Sequence, residues 1–233
     1  MNVSFRPQWL LALALPLALA ACGDKEPEQR AAFSQFLQTR IIDKPGVRVP
    51  QLTPEESKAF GDYTSHYAVI TDFNGGMDAS VKPLQGLVQK GAVRSLNDVI
   101  ERRADLETAK TGLHDMGTQL KAQQAKADAA HAALKQPDDL KPVYDKAYDK
   151  TVTLPATTFL EVLPRLEATL DSSLKVADYV NAHKDQIEVN GAIVRVADPK
   201  VQAELNGLLG ELNAQAKTVQ EAQGRVQQVL LGR

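Results

Sequence analysis

Apolar positions recur at three- and four-residue intervals along most of the chain, the period of an amphipathic helix rather than a strand. The spacing predicts a first helix over 28–42, with Phe33, Phe36, Leu37 and Ile41 on one side and Asp43-Lys44-Pro45-Gly46 breaking it. Thr53-Pro54-Glu55-Glu56 reads as a helix start. Thr53 caps, Pro54 suits the first turn, and Glu56 completes a capping box. Beyond it Phe60, Tyr63, Tyr67, Ile70, Asn74, Met77, Val81, Leu84 and Val88 line one face, and Gly75-Gly76 and Pro83 are expected to bend or interrupt the helix.

Ser95 is placed to cap a long helix running to about Gln136, on which Val99, Leu106, Leu113, Leu120, Ala127 and Leu134 recur every seven residues, with Ala109, Met116 and Ala130 in part of a second seam. A 3.5-residue repeat favours left-handed helix-on-helix packing, and at 1.5 Å per residue this element would be about 60 Å long. Pro137-Asp138-Asp139 turns the chain, with the two carboxylates read as capping groups of the next helix start. Helices are expected near 140–152 and 156–184, the second with Phe159, Leu163, Leu166, Leu170, Ala177 and Val180 on one face and a kink at Pro164.

One stretch has a different period. Ile187-Glu188-Val189-Asn190-Gly191-Ala192-Ile193-Val194-Arg195-Val196 alternates as a short β-hairpin turning at Asn190-Gly191. Ile187, Val189, Ala192, Val194 and Val196 share one face, Glu188 and Arg195 share the other and pair diagonally, and the apolar face needs helices to lie on. Asp198-Pro199 starts a last helix to about Leu230, carrying a 4-3 repeat from Val201 to Val229. The pattern therefore predicts an all-α fold: an elongated antiparallel bundle of long helices with one small β-hairpin near 187–196. With no polar linker dividing it, 28–233 is read as a single helical domain.

Composition narrows the functional classes. The 233 residues carry 27 Lys+Arg against 29 Asp+Glu, a net charge of −2 without the basic excess that nucleic-acid binding needs. At 43% hydrophobic and 24% charged the chain is not of disordered composition, and its single cysteine leaves no disulfide framework or Cys-based zinc site.

That cysteine has another role. Arg6 precedes an apolar run from Trp9 to Ala21 that is too short to span a bilayer, which is the pattern of a secretory signal peptide over 1–21. Leu19-Ala20-Ala21-Cys22 matches a bacterial lipobox, in which cleavage falls between Ala21 and Cys22 and the Cys22 thiol takes the lipid. Each buried CH₂ contributes about 0.8 kcal/mol, so two or three acyl chains anchor a protein permanently. Residues 22–27 then form a tether spanning at most about 20 Å. Gly23 in place of Asp after the cysteine directs such a protein to the outer membrane by the enteric sorting rule.

Candidate chemistry is sparse. Of the four histidines, His66, His114, His131 and His183, two share a helical face with an acid: Asp62 with His66, and Asp128 with His131. A helical di-metal site needs acid-x-x-His pairs from two helices plus further carboxylates, so both pairs are read as solvated helix faces and no metal, cofactor or catalytic residue is expected. There is no Gly-x-Ser-x-Gly, and Gly75-Gly76 lacks the strand–loop–helix setting of a phosphate cradle. The seven alanines between Lys121 and Ala133 are read as a close-packing helix face rather than a membrane-active one.

Asp24-Lys25-Glu26, Ala32-Phe33 with Phe36-Leu37-Gln38, Phe60-Gly61, the run from Ala127 to Tyr144, Ala147-Tyr148 and Asn190-Gly191 together resemble the YiaF-like proteins, a domain-of-unknown-function family of uncharacterised bacterial lipoproteins. The resemblance covers most of the mature chain, less clearly the last helix. It implies lipoprotein character and a helical domain, and carries no activity and no catalytic residues.

Two functional readings follow. The first is a non-enzymatic, lipid-anchored periplasmic protein that binds another envelope component, with the membrane and an envelope protein as partners. The second is a carrier or sensor of an apolar ligand held between the helices. A concave apolar pocket of roughly 300 Å³ or more favours the second reading and a filled core the first, with alanine-rich seams arguing against a cavity.

Overall fold

A computed structural model describes residues 25–89, 95–191 and 193–232, with the side chains of 81–89 left aside. The predicted signal peptide, Ala21 and Cys22, and the hairpin's Ala192, lie outside the described residues, as do the side chains of Val81, Leu84 and Val88.

The chain folds as expected into long antiparallel helices with one two-stranded sheet. Helix α1 (Glu26–Phe36) continues through a wide π turn over Leu37–Ile42. After the loop 43–53, α2 (Pro54–Phe60) begins with the expected capping box between Thr53 and Glu56. The break that follows falls at Gly61, whose φ of +54 glycine adopts without strain, and not at Gly75-Gly76. Helix α3 (Tyr63–Gln89) is uninterrupted at both Gly75-Gly76 and Pro83. Gly76 has a different use: it makes room for the Gln123 side chain, whose Nε2 donates to the Gly76 carbonyl at 3.1 Å.

Ser95 and Asp98 form a second capping box at the head of α4 (Leu96–Glu101), and Arg102 separates it from α5 (Arg103–Ala133). The heptad runs across that break: Val99, Leu106, Leu113, Leu120 and Ala127 are all buried, and Leu134 is half-buried against the core. Helix α6 (Lys141–Tyr148) passes through a π turn at Asp149–Thr153 straight into α7 (Leu154–Ala182), so the expected break between 152 and 156 is a local widening of one helical run. Asn74, the one polar residue in the α3 seam, donates to the Thr151 carbonyl inside that turn at 3.2 Å. Asp138 and Asp139 do not cap α6. Leu140 holds that position with no side-chain cap, and Asp139 pairs with Arg30 on α1 at 3.3 Å.

Strands β1 (Ile187–Asn190) and β2 (Ile193–Val196) pair with Val189 opposite Val194 and Asn190 opposite Ile193, two residues on from the register of an Asn190-Gly191 turn. The faces are unchanged, because a shift of two preserves side-chain parity. Glu188 and Arg195 consequently sit directly opposite each other, 3.5 Å apart, rather than diagonally. Asp198 caps α8 (Pro199–Leu231) through Lys200 and Val201 N–H, as expected.

Cross-links fix the antiparallel order. Arg103–Asp178, Lys110–Asp171 and His114–Glu167 join α5 to α7, and Tyr179–Glu204, Lys175–Glu211 and Arg225–Glu161 join α7 to α8. The interior divides into an aromatic cluster at one end, built on Phe33, Phe36, Phe60, Tyr67, Tyr144 and Tyr148, and an aliphatic one at the other, built on Val99, Val176, Val180, Ile187, Val201 and Leu205. Leu113, Met116 and Leu163 form a thin waist between them.

Candidate functional site

The four histidines do not converge, and among the described residues no group of three or more His, Cys, Asp or Glu side chains could hold a metal ion. His114 is exposed, 3.9 Å from Glu167, and His183 stacks on Tyr179 one helical turn back at 4.2 Å.

The Asp128–His131 pair is where sequence reasoning needs correction, because this face of α5 is only partly solvated: Asp128 is exposed, but His131 is half-buried. It packs on α6, and each member finds a partner there. His131 Nε2 lies 2.8 Å from the Asp145 carboxylate, Tyr148 O–H donates to Asp128 at 2.7 Å, and the His131 ring lies over Tyr148 at 4.1 Å. Lys141 donates to the other Asp145 oxygen at 2.8 Å. Burial pushes the Asp145 carboxyl up, but the hydrogen bonds from Lys141 and His131 outweigh it and hold the group below the ordinary carboxylate range. Burial, and then the bond to Asp128, drive the Tyr148 phenol upward.

The network has a base, an orienting acid and a phenol, and its one amine, Lys141, is ion-paired to Asp145. Chemically it is a latch between α5 and α6. The members that the sequence reading did not name, Asp145 and Tyr148, fall one turn after Lys141 and Tyr144, so the signal was an acid-and-base pair, Lys141 and Asp145, beside the buried tyrosine stripe of α6.

The Asp62–His66 pair likewise does not stand free. His66 is half-buried, its Nδ1 lies 3.2 Å from Gln136 Nε2, and its carbonyl accepts from Tyr144 O–H at 2.7 Å. Burial lowers its pKa below the ordinary 6.5, opposed by the Asp62 charge. Nearby, Tyr63 donates to Glu26, and burial followed by that bond pushes its phenol up to about 12.

Two grooves between helices bear on the apolar-ligand reading. One, of about 320 Å³, lies between α3 and α5 and has Asp72 and Lys126 at its sides. Its floor includes Ala68, Gly76, Ala127 and Ala130, so the alanine-rich stretch does not pack closely throughout: Ala127 is buried and Ala130 half-buried, while the other five alanines are exposed. Small side chains draw two helices together only where their neighbours are small as well, and here Phe73 and Gln123 stand in the same interface. The second groove, about 330 Å³, runs along the waist between Leu113, Met116, Phe159, Leu166 and Val226, and its walls are almost wholly apolar.

These features define an all-α bundle without a catalytic constellation among its described residues. The chain belongs to the family described as "Protein of unknown function (DUF3053)", whose model matches residues 10–227. It is 33% identical over 217 residues, 91% of each chain, to the "Uncharacterized protein YiaF" of Escherichia coli (strain K12), and equally similar to the proteins of that name from Escherichia coli O157:H7 and Shigella flexneri. No solved structure matches. Neither the family description nor the relatives' names assigns an activity. Among the described residues no helix is long and apolar enough to cross a membrane.

Proposed function

We propose that this protein is a lipid-anchored component of the bacterial envelope, on the periplasmic face and in the outer membrane, that acts by binding another envelope protein rather than by catalysis. The observation that carries the reading is Leu19-Ala20-Ala21-Cys22 closing a short apolar run, with Cys22 four positions before α1 starts at Glu26. Acylation there would seat the aromatic end of the bundle against the bilayer. The hairpin would then stand at the far end, because α7 carries the chain about 40 Å from one cluster to the other. Ile193 and Val194 in that hairpin are 59% and 38% exposed, apolar surface of the kind a protein partner covers.

Mass spectrometry of the mature protein tests the anchor. Acyl mass on an N-terminal Cys22 is expected, and a mature protein that begins elsewhere defeats the reading. A photo-crosslinker at Ile193, used in cells, tests the partner: a discrete adduct is expected, and none should form at Lys126.

The second reading, a carrier or sensor of an apolar ligand, is favoured by one observation. The waist groove exceeds the size set for it, and its lining is apolar apart from Gln223 and Gln227. Native mass spectrometry after gentle extraction separates the two, since a co-purifying acyl chain displaced by Leu166→Asp supports the carrier reading.

A further inference from the structure

The loop 43–53 is long for a connection between two helices, yet it is tied down from several directions. Lys150 Nζ reaches across from the second π turn and donates to the carbonyls of Ile42, at 2.8 Å, and Lys44. Val47 N–H donates to the Leu230 carbonyl at the end of α8, 3.1 Å away. Tyr67 O–H, rising from the aromatic core, donates to the Pro50 carbonyl at 2.7 Å. Gly46, buried with φ +66, lets the loop pass so close to α8 that a Cβ there would run into the Leu230 backbone. Pro45 and Pro50 remove further freedom from the unbound chain.

This held segment shapes a groove of about 410 Å³ lined by Arg40, Lys44 and Arg48 over Pro45, Val49 and Pro50. The three cations stand at four-residue spacing, all are exposed, and no acid lines the groove. Of the acids nearby, Asp43 accepts from Gln38 at 2.6 Å, while Glu56 pairs with Arg40 at 3.4 Å and completes the Thr53 cap with its other oxygen, so Arg40 is partly neutralised and Lys44 and Arg48 carry most of the uncompensated charge. Arg40 also lies over the Phe36 ring, which fixes its stem. A chain with a net charge of −2 thus gathers three guanidinium and ammonium groups, with Lys150 behind them, on one rigid wall. A scaffold that holds three cations together with one acid beside them keeps a net positive charge and is complementary to an anion.

We propose that this cradle binds a phosphate group, carried either by a soluble phosphate ester or by the headgroup of an anionic lipid. Arg40 and Arg48 offer planar N–H forks that suit phosphate oxygens, and Lys44 adds a mobile point charge between them. The bonds that hold the loop, from Lys150, Val47 and Tyr67, leave the Arg40, Lys44 and Arg48 side chains out, so binding an anion costs little chain entropy. The proposal stands apart from acylation at Cys22 and from either functional reading above.

The test uses the full chain mixed with nanodiscs of phosphatidylcholine, which needs no anchoring, with inorganic pyrophosphate added in one arm and phosphatidylglycerol replacing part of the lipid in the other. The readout is the rate at which an amine reagent modifies Lys44, measured by mass spectrometry against Lys126 as an exposed control. Severalfold slowing at Lys44 with pyrophosphate supports a soluble phosphate ligand, and slowing with phosphatidylglycerol alone supports a lipid headgroup. In whichever arm responds, Arg48→Gln should weaken protection about tenfold, the loss expected for one charge-assisted contact, with the thermal melt unchanged because Arg48 serves no packing role. Unchanged Lys44 rates in both arms overturn the proposal. So does equal slowing at Lys126, or protection that Arg48→Gln does not alter.

Discussion

The two ends of the bundle are stabilised in different ways. At the aromatic end the rings form a continuous cluster of mostly tilted and edge-on contacts: Phe33 alone touches Phe60, Tyr63, Tyr67 and Tyr144, with centroids 5.4–6.5 Å apart. The tyrosine hydroxyls there reach out of the core to Glu26, Pro50, His66 and Asp128. At the aliphatic end the core is Val, Leu, Ile and Ala, and the polar links, such as Arg103–Asp178 and Lys175–Glu211, lie on the exposed surface. Apolar area is non-directional, so it can hold helices together without choosing among nearby arrangements. Directed hydroxyl bonds from a buried ring admit far fewer. The lesson is that the end nearest the chain's beginning is fixed in detail, and the far end is held mainly by periodic burial.

The sharpest way to break this comparison is truncation in each cluster. Phe33→Ala is expected to cost about 3–5 kcal/mol, and Leu205→Ala about 2–3 kcal/mol, since both are fully buried but the ring removes more contacts. Urea titrations that ranked them in reverse would show the aliphatic end to be the more constrained. Gly46→Ala comes next, at about 2 kcal/mol, because the left-handed backbone and the neighbouring Leu230 carbonyl both resist a Cβ. Amide exchange should then accelerate at the end of α8 and little at β1.

Tyr148→Phe removes one hydroxyl from the latch. A loss of about 1 kcal/mol is expected, because the exposed Asp128 carboxylate recovers water as its partner.

Acidification sharpens the comparison through His66. Its folded pKa lies below the unfolded value near 6.5, so the unfolded chain binds more protons in that range and stability falls as pH drops from about 6.5. The groups facing His66 are Asp62, Tyr63, Gln136 and Tyr144, and Asp62 opposes the shift without reversing it. His66→Gln should flatten the dependence of the melting temperature on pH between 7 and about 5.5. Asp145 adds a second loss at lower pH. Its folded pKa is depressed, so its contribution is present above the unfolded pKa near 4 and fades as pH falls through the folded one.

The smallest effect is expected at Gly76→Ala. The added methyl displaces the end of the flexible Gln123 side chain and its hydrogen bonds, at about 1 kcal/mol, and alanine returns a similar amount in helix propensity. A melt within about a degree of the parent is the expected result.

The sequence by itself determined the helices and their buried faces. Thr53, Ser95 and Asp198 sit at their caps as written, and the heptad from Val99 to Ala127 is buried without exception, because capping and amphipathic burial depend on neighbours within a few residues. The hairpin faces were equally legible, since a period of two survives a change of register. Only the tertiary structure decided what distant residues do to one another. It turned the expected kink at Gly75-Gly76 into a notch for Gln123, the expected break before Leu154 into a π turn partnered by Asn74, and the solvated Asp128–His131 face into a latch with Asp145 and Tyr148. It also brought Lys150 and the end of α8 to a loop whose three cations looked unremarkable in the chain. The reason is physical: a side chain's local conformation is set by its own backbone, whereas its hydrogen-bond partner and its exposure are set by whichever element packs across from it.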